Sequence, residues 1–101
     1  MQQPQLGTGH ALQQALPRFA AMPESPMVLC GDTPLLTDST LRQLREHFEQ
    51  SGAACTVMSA LLPDGGSYGR IIRDENGDLA AIVEARDASA EQLQIREINS
   101  G

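Results

Sequence analysis

Asp32 is the carboxylate of this chain best placed to do chemistry. It follows Gly31 at the end of the run Pro26-Met27-Val28-Leu29-Cys30. A continuous apolar run reads as a strand buried on both faces, the pattern of a parallel sheet. Open α/β sheets bind ligands beyond the carboxyl ends of such strands. A carboxylate there can hold Mg²⁺, a hard cation that takes one or two carboxylates and completes its shell with phosphates and water. Pro34 stops the strand from continuing. Gly-Asp is also an ordinary turn pair, so Asp32 alone leaves both readings open.

The other candidates are weaker one by one. Gln5-Leu6-Gly7-Thr8-Gly9 opens onto a helical pattern, and unpaired N–H groups at a helix start suit a phosphate or the polar edge of a base. No Gly-Lys-Ser/Thr follows, so this is not a P-loop; a simple helix cap is the plainer reading. Glu84 closes the apolar run 79–83 and can accept hydrogen bonds from sugar hydroxyls, or merely face solvent. Tyr68-Gly69-Arg70 follows a glycine loop and otherwise reads as the entry to a strand. His10 has no partner in sequence and reads as a helix-surface histidine. Arg70 and Arg73 read as solvated strand charges rather than phosphate ligands. Cys30 and Cys55 are too few and too far apart for a zinc site, and their apolar surroundings predict buried, reduced thiols.

These residues need elements to hold them. Ala11, Leu12, Ala15, Leu16 and Phe19 fall at helical spacing over 8–21, with Thr8 as the capping hydroxyl and Pro17 as a kink or early stop. After the buried strand at 27–30, Thr37 or Asp38 caps a second helix over 38–51. Its stripe is Leu41, Leu44 and Phe48, and Gly52 ends it. Residues 53–60 read as a second buried strand, which makes the helix the right-handed crossover of a βαβ unit. Beyond the loop Pro63-Asp64-Gly65-Gly66-Ser67, the segments 69–73 and 79–84 flank Asn76-Gly77, a strong hairpin signal. A short helix is expected within 88–94. The order is helix, strand, helix, strand, hairpin.

Bulk properties narrow the classes. The chain has 101 residues, enough for one small domain, and a net charge of −6. An acidic balance argues against nonspecific binding to nucleic acid or anionic membranes, which needs a basic face; it leaves single nucleotides open. No stretch approaches the roughly 20 apolar residues of a membrane span. The polar start Met1-Gln2-Gln3-Pro4-Gln5 does not look like a signal peptide, so the cytoplasm is the expected location. With no Trp, one Tyr and two Phe, the core must be built from small aliphatic side chains. Strands buried on both faces need neighbours, and so short a chain is expected to form a marginal or partly molten domain on its own.

Taken in order, five motifs carry a family resemblance over essentially the whole chain. They are Gln5-Leu6-Gly7-Thr8-Gly9-His10-Ala11, Gly31-Asp32-Thr33-Pro34-Leu35-Leu36, Tyr68-Gly69-Arg70-Ile71, Ile82-Val83-Glu84 and Glu97-Ile98-Asn99-Ser100-Gly101. The series resembles the bacterial sugar nucleotidyltransferases, above all the bifunctional N-acetylglucosamine-1-phosphate uridylyltransferase / glucosamine-1-phosphate acetyltransferase family. The resemblance implies a partial Rossmann-like α/β nucleotidyltransferase fold: a mixed, mostly parallel sheet with flanking helices and a hairpin. It implies the reaction of UTP with N-acetylglucosamine 1-phosphate to give UDP-N-acetylglucosamine and pyrophosphate, for peptidoglycan and lipopolysaccharide synthesis.

Residue by residue, the resemblance sets Gln2, Gly7 and Thr8 at the uracil and Asp32 at Mg²⁺, with Gly31 beside it. Gly69, Glu84 and Asn99 go around the N-acetylglucosamine moiety. No catalytic side chain is assigned. Cys30 departs from a frequent family tyrosine. The Gly-rich triphosphate loop ending in Arg and its following Pro-Lys do not occur within these residues. Nor do the second magnesium ligand, the remaining sugar contacts and the β-helix acetyltransferase domain through which the family trimerises. Residues 1–101 are therefore expected to be a segment of the uridylyltransferase domain with negligible turnover alone. A non-catalytic sugar-nucleotide-binding remnant and a truncated product without function are the alternatives.

Overall fold

The structure, a computed structural model, describes residues 4, 6–19, 21 and 25–101. Helix α1, Thr8–Ala15, passes into a short 3-10 helix, Leu16–Arg18, where Pro17 removes a backbone donor. Gly7, at φ +96°, is the N-cap, and no side-chain bond caps the helix. Thr8 is thus the first helical residue rather than the predicted cap. Helix α2, Asp38–Ser51, forms as its periodicity predicts. The Thr37 hydroxyl accepts from the Thr40 N–H at 3.2 Å, and Gly52 ends the helix in the left-handed region at φ +65°. Both ends follow from residue chemistry: a hydroxyl for an orphan N–H, and a glycine where a Cβ would clash.

Four strands make one sheet: β1 Ser59–Leu61, β2 Arg70–Arg73, β3 Leu79–Val83 and β4 Glu97–Asn99, in the order β1-β4-β2-β3. Every pairing is antiparallel. The expected mostly parallel sheet is therefore corrected, and so is the right-handed βαβ crossover. Residues 27–30 join no ladder among the described residues, and only the end of the predicted strand 53–60 enters β1. The reason is pairing, because an apolar run becomes a strand only when a neighbour takes its N–H and C=O groups. Val28 is 57% exposed, so the segment read as doubly buried lies largely in the open. The thiols change with their segments: both cysteines are unpaired, Cys30 half-buried and Cys55 exposed.

The hairpin forms where Asn76-Gly77 predicts it, through a wider turn than a two-residue loop. Gly77 N–H donates to the Asp74 carbonyl at 3.0 Å, and the Asp74 carboxylate accepts from the N–H groups of Asn76 and Asp78. Gly77 takes φ +86°, and the register shifts between Ile72 and Arg73. A turn followed by a left-handed glycine is the next common hairpin after the two-residue kind. The expected short helix is the 3-10 turn Gln92–Gln94. Ser89 Oγ accepts from Gln92 N–H while Gln92 Oε1 accepts from Ser89 N–H, a reciprocal capping box.

Among the described residues the fully enclosed side chains are few: Ile71 on β2, Ile98 on β4, and Arg70. Each buried isoleucine contributes about 2 kcal/mol relative to exposure. A compact monomer of this mass exposes roughly 5,500 Å², whereas this chain exposes 8095 Å². Tight packing is therefore local to the sheet.

An ion pair also ties β2 to β4. Arg73 donates to Glu97 through Nε at 2.8 Å and Nη2 at 2.6 Å, and Ser59 Oγ donates to the same carboxylate at 2.6 Å. Arg73 is thus exposed, as its reading as a solvated charge expects, and also paired. Its hydrogen bonds, followed by the one from Ser59, hold the Glu97 carboxyl well below the usual carboxylate range, at about 2. A lowered native value stabilises the folded form above the unfolded-state range near 4.5, and the contribution disappears as pH falls through about 2. Urea midpoints measured from pH 5 to pH 2 should therefore fall with acid in the parent chain and more shallowly in Glu97→Gln. At neutral pH the variant should be the less stable of the two.

Candidate functional site

Asp32 sits in a tight turn. Thr33 closes it by donating its N–H and its hydroxyl to the Cys30 carbonyl, at 3.5 and 3.0 Å. The carboxylate is exposed. Far along the chain, Gly69 enters β2, Glu84 follows β3 and Asn99 ends β4. The sheet brings these three together. Asn99 N–H donates to the Gly69 carbonyl at 2.8 Å. A Cβ on Gly69 would press on Ile82 Cγ2 at 3.3 Å and meet Glu84 Oε1 at an ordinary contact distance of 3.6 Å, so Gly69 packs closely against β3 and its end.

Asp32, Gly69, Glu84 and Asn99 all line one cleft of about 250 Å³. Its wall also includes Cys30, Thr33, Ser67, Tyr68, Ser100 and Gly101. A neighbouring hollow shares Ser67 and Glu84 and adds Ala85 and Arg86. The chain's last residues close the far side. Ser100 N–H and Oγ both donate to the Met58 carbonyl, at 3.3 and 2.9 Å. Gly101 N–H donates to Asn99 Oδ1 at 3.3 Å. Gly101, at φ +110°, lies against Cys30: a Cβ there would come within 2.9 Å of Sγ.

Other sequence candidates stand apart. Gly31 occupies the Asp32 turn but is not part of the cleft wall, and Gly7 and Thr8 are exposed at the start of α1. Gln2 lies outside the described residues. Among the described residues no group of three or more His, Cys, Asp or Glu side chains gathers to hold a metal. The oxygen donors on the cleft are carboxylates, an amide and hydroxyls, a set that suits a hard cation completed by substrate and water. Sequence reasoning did not single out Thr33, Ser67 and Ser100 as cleft residues; Thr33 and Ser100 lie inside the quoted motifs, Ser67 directly precedes one, and the hydroxyl each carries was the available signal. It also misread Arg70, which is buried rather than solvated.

Comparison with known proteins gives this geometry a family. The profile of the MobA-like NTP transferase domain matches residues 1–92. The chain belongs to that nucleotidyltransferase family. Curated relatives named "Bifunctional protein GlmU" align along nearly its whole length. Identity is 56% over 100 residues with the protein of Heliobacterium modesticaldum, covering 99% of this chain and 22% of the relative. It is 50% over 101 residues with that of Exiguobacterium sibiricum and 48% with that of Lactobacillus delbrueckii subsp. bulgaricus, each covering 100% of this chain and 22% of the relative. The chain thus spans about a fifth of the length of these proteins and fits a nucleotidyltransferase segment of GlmU. No helix among the described residues of this nucleotidyltransferase segment is long and apolar enough to cross a membrane.

The tight fit at Gly69 can be tested directly. Gly69→Ala should lower stability by about 1 kcal/mol through overpacking and shift the Ile82 methyl resonances. Gly9→Ala, whose added methyl meets nothing within 4 Å, should leave them in place and gain up to about 1 kcal/mol of helix stability. Denaturation curves and methyl NMR of the two variants measure both effects.

Proposed function

We propose that the cleft is the sugar side of a uridylyltransferase site. The full-length protein would join UTP and N-acetylglucosamine 1-phosphate into UDP-N-acetylglucosamine and pyrophosphate, a cytoplasmic step towards peptidoglycan and lipopolysaccharide. One observation carries the reading: Asp32, Gly69, Glu84 and Asn99, spread over most of the sequence, line a single cleft.

Each residue has work suited to its chemistry. Glu84 accepts hydrogen bonds from sugar hydroxyls, and the Asn99 amide offers both donor and acceptor to the acetamido group. Gly69 lets the sugar approach the backbone closely. Gly7 and Thr8, with Gln2, hold the uracil edge, and Gly31 keeps the turn beside the metal ligand open. Asp32 is the carboxylate that would hold Mg²⁺. When bound, that ion neutralises phosphate charge.

The sugar-phosphate oxygen attacks the α-phosphorus of UTP in line, and pyrophosphate leaves. The protein's contribution is placement and charge compensation rather than covalent chemistry. Turnover belongs to the longer protein, trimeric through its acetyltransferase half; these 101 residues retain recognition of the sugar nucleotide.

Titrating UDP-N-acetylglucosamine and Mg²⁺ into the chain, followed by amide NMR, tests the reading. Shifts are expected at Asp32, Gly69, Glu84 and Asn99. Asp32→Asn should abolish the Mg²⁺-dependent part while the sugar-dependent shifts at Glu84 and Asn99 survive. A well-dispersed spectrum that does not move would overturn the assignment.

A further inference from the structure

Arg70 is the most enclosed charge among the described residues, at 2% exposure. Its Nη1 donates to the carbonyl oxygens of Gly65 (3.1 Å) and Tyr68, and its Nη2 to that of Gly66 at 3.1 Å. The guanidinium fills the space where Gly65 would carry a side chain: a Cβ there would lie 2.5 Å from Arg70 Cζ and 2.7 Å from Nε. Among the described residues the ion pairs use Arg42, Arg45, Arg73 and Arg86, never Arg70. Nε makes no hydrogen bond.

A guanidinium does not lose its proton, so its burial depends wholly on the oxygens around it. Those oxygens are brought to it by the shape of the 65–68 loop. That loop carries adjacent glycines, Gly66 at φ +48°, and would otherwise sample many conformations. Its remaining bonds are a turn from Tyr68 N–H to the Gly65 carbonyl and one from Gly66 N–H to the Asp64 carboxylate. Ser67, Tyr68 and Gly69, which follow the clamped glycines, form one wall of the cleft. Arg70 itself is not part of the cleft wall.

We propose that Arg70 is the positioning residue of the cleft: its guanidinium clamps the carbonyls of Gly65, Gly66 and Tyr68 from beneath, and so sets the Ser67–Gly69 wall against Glu84 and Asn99. The assignment rests on reading the cleft as a sugar-nucleotide site. Lysine keeps the charge but has one nitrogen where the planar fork has three, so it cannot span three carbonyls in the same geometry.

Three variants of the chain test this. Arg70→Lys keeps the charge and removes the fork. Gly65→Ala leaves Arg70 intact and expels the guanidinium with a methyl. Arg73→Gln breaks the Arg73–Glu97 pair on the same strand, outside the cleft, and serves as the stability control. The readouts are amide hydrogen exchange at 65–69 and binding of UDP-N-acetylglucosamine with Mg²⁺. Arg70→Lys and Gly65→Ala should each speed loop exchange and weaken the probe about tenfold, a misplacement effect. Arg73→Gln should leave both within about twofold, one fifth of that misplacement effect, once corrected for the fraction folded. Unchanged loop exchange in Arg70→Lys and Gly65→Ala would overturn the proposal, as would equal weakening of the probe by Arg73→Gln. If the parent chain ignores the probe, the sugar-nucleotide reading fails, and loop exchange alone decides whether the clamp exists.

Discussion

A strand inserted between two others must satisfy hydrogen bonds on both edges; β4 and β2 both do so here, and β4 is the one that ties the hairpin to β1. Ile98 stands opposite Ala60 on one side and Arg70 on the other. Remove β4 and the hairpin has no connection through the sheet to β1. The seam runs past the strand's formal ends: Leu62 N–H donates to the Arg96 carbonyl at 3.0 Å, and Ser100 reaches Met58 at the opposite end. Glu97 adds an ion pair to the hairpin, and Asn99 places an amide beside Gly69. One short segment thus carries part of the core, the main inter-strand charge pair and one wall of the cleft.

Local chemistry made much of this legible in the sequence. Thr37 and Gly52 bound α2, Asn76-Gly77 marks the hairpin, and Pro17 shortens α1, because each acts within a few residues of itself. Strand pairing beyond the hairpin was not legible. Residues 27–30 and 53–58 have the apolar pattern of central parallel strands, yet pattern reports only what a segment would bury, not which neighbour meets it. The cleft followed from the family resemblance more than from any single motif. Asp32, Glu84 and Asn99 are each commonplace alone, and only the fold puts them on one surface. Arg70 escaped because an arginine beginning a strand looks solvated unless the backbone oxygens that receive it are known.

Charge is handled by two different devices on the same strand. Arg73 meets a carboxylate in bidentate geometry, partly open to water, and the contribution of such a pair depends on pH and salt. Arg70 meets only peptide oxygens, so its compensation does not titrate. The first device ties strand to strand, and the second ties a strand to a loop. The two devices share no bond, although both stand on β2, a central strand of the sheet.

The contact between Gly101 and Cys30 has a kinetic meaning. It joins the chain's last residue to a turn near its beginning, whereas the hairpin closes over only a few residues. Loop-closure entropy rises with the length of chain between the ends, and contacts distant in sequence form slowly. The hairpin therefore closes at a lower entropic cost than the cleft. A ligand that touches both Asp32 and Asn99 would bridge the two ends of that long loop, so recognition would offset part of the cost of closing it.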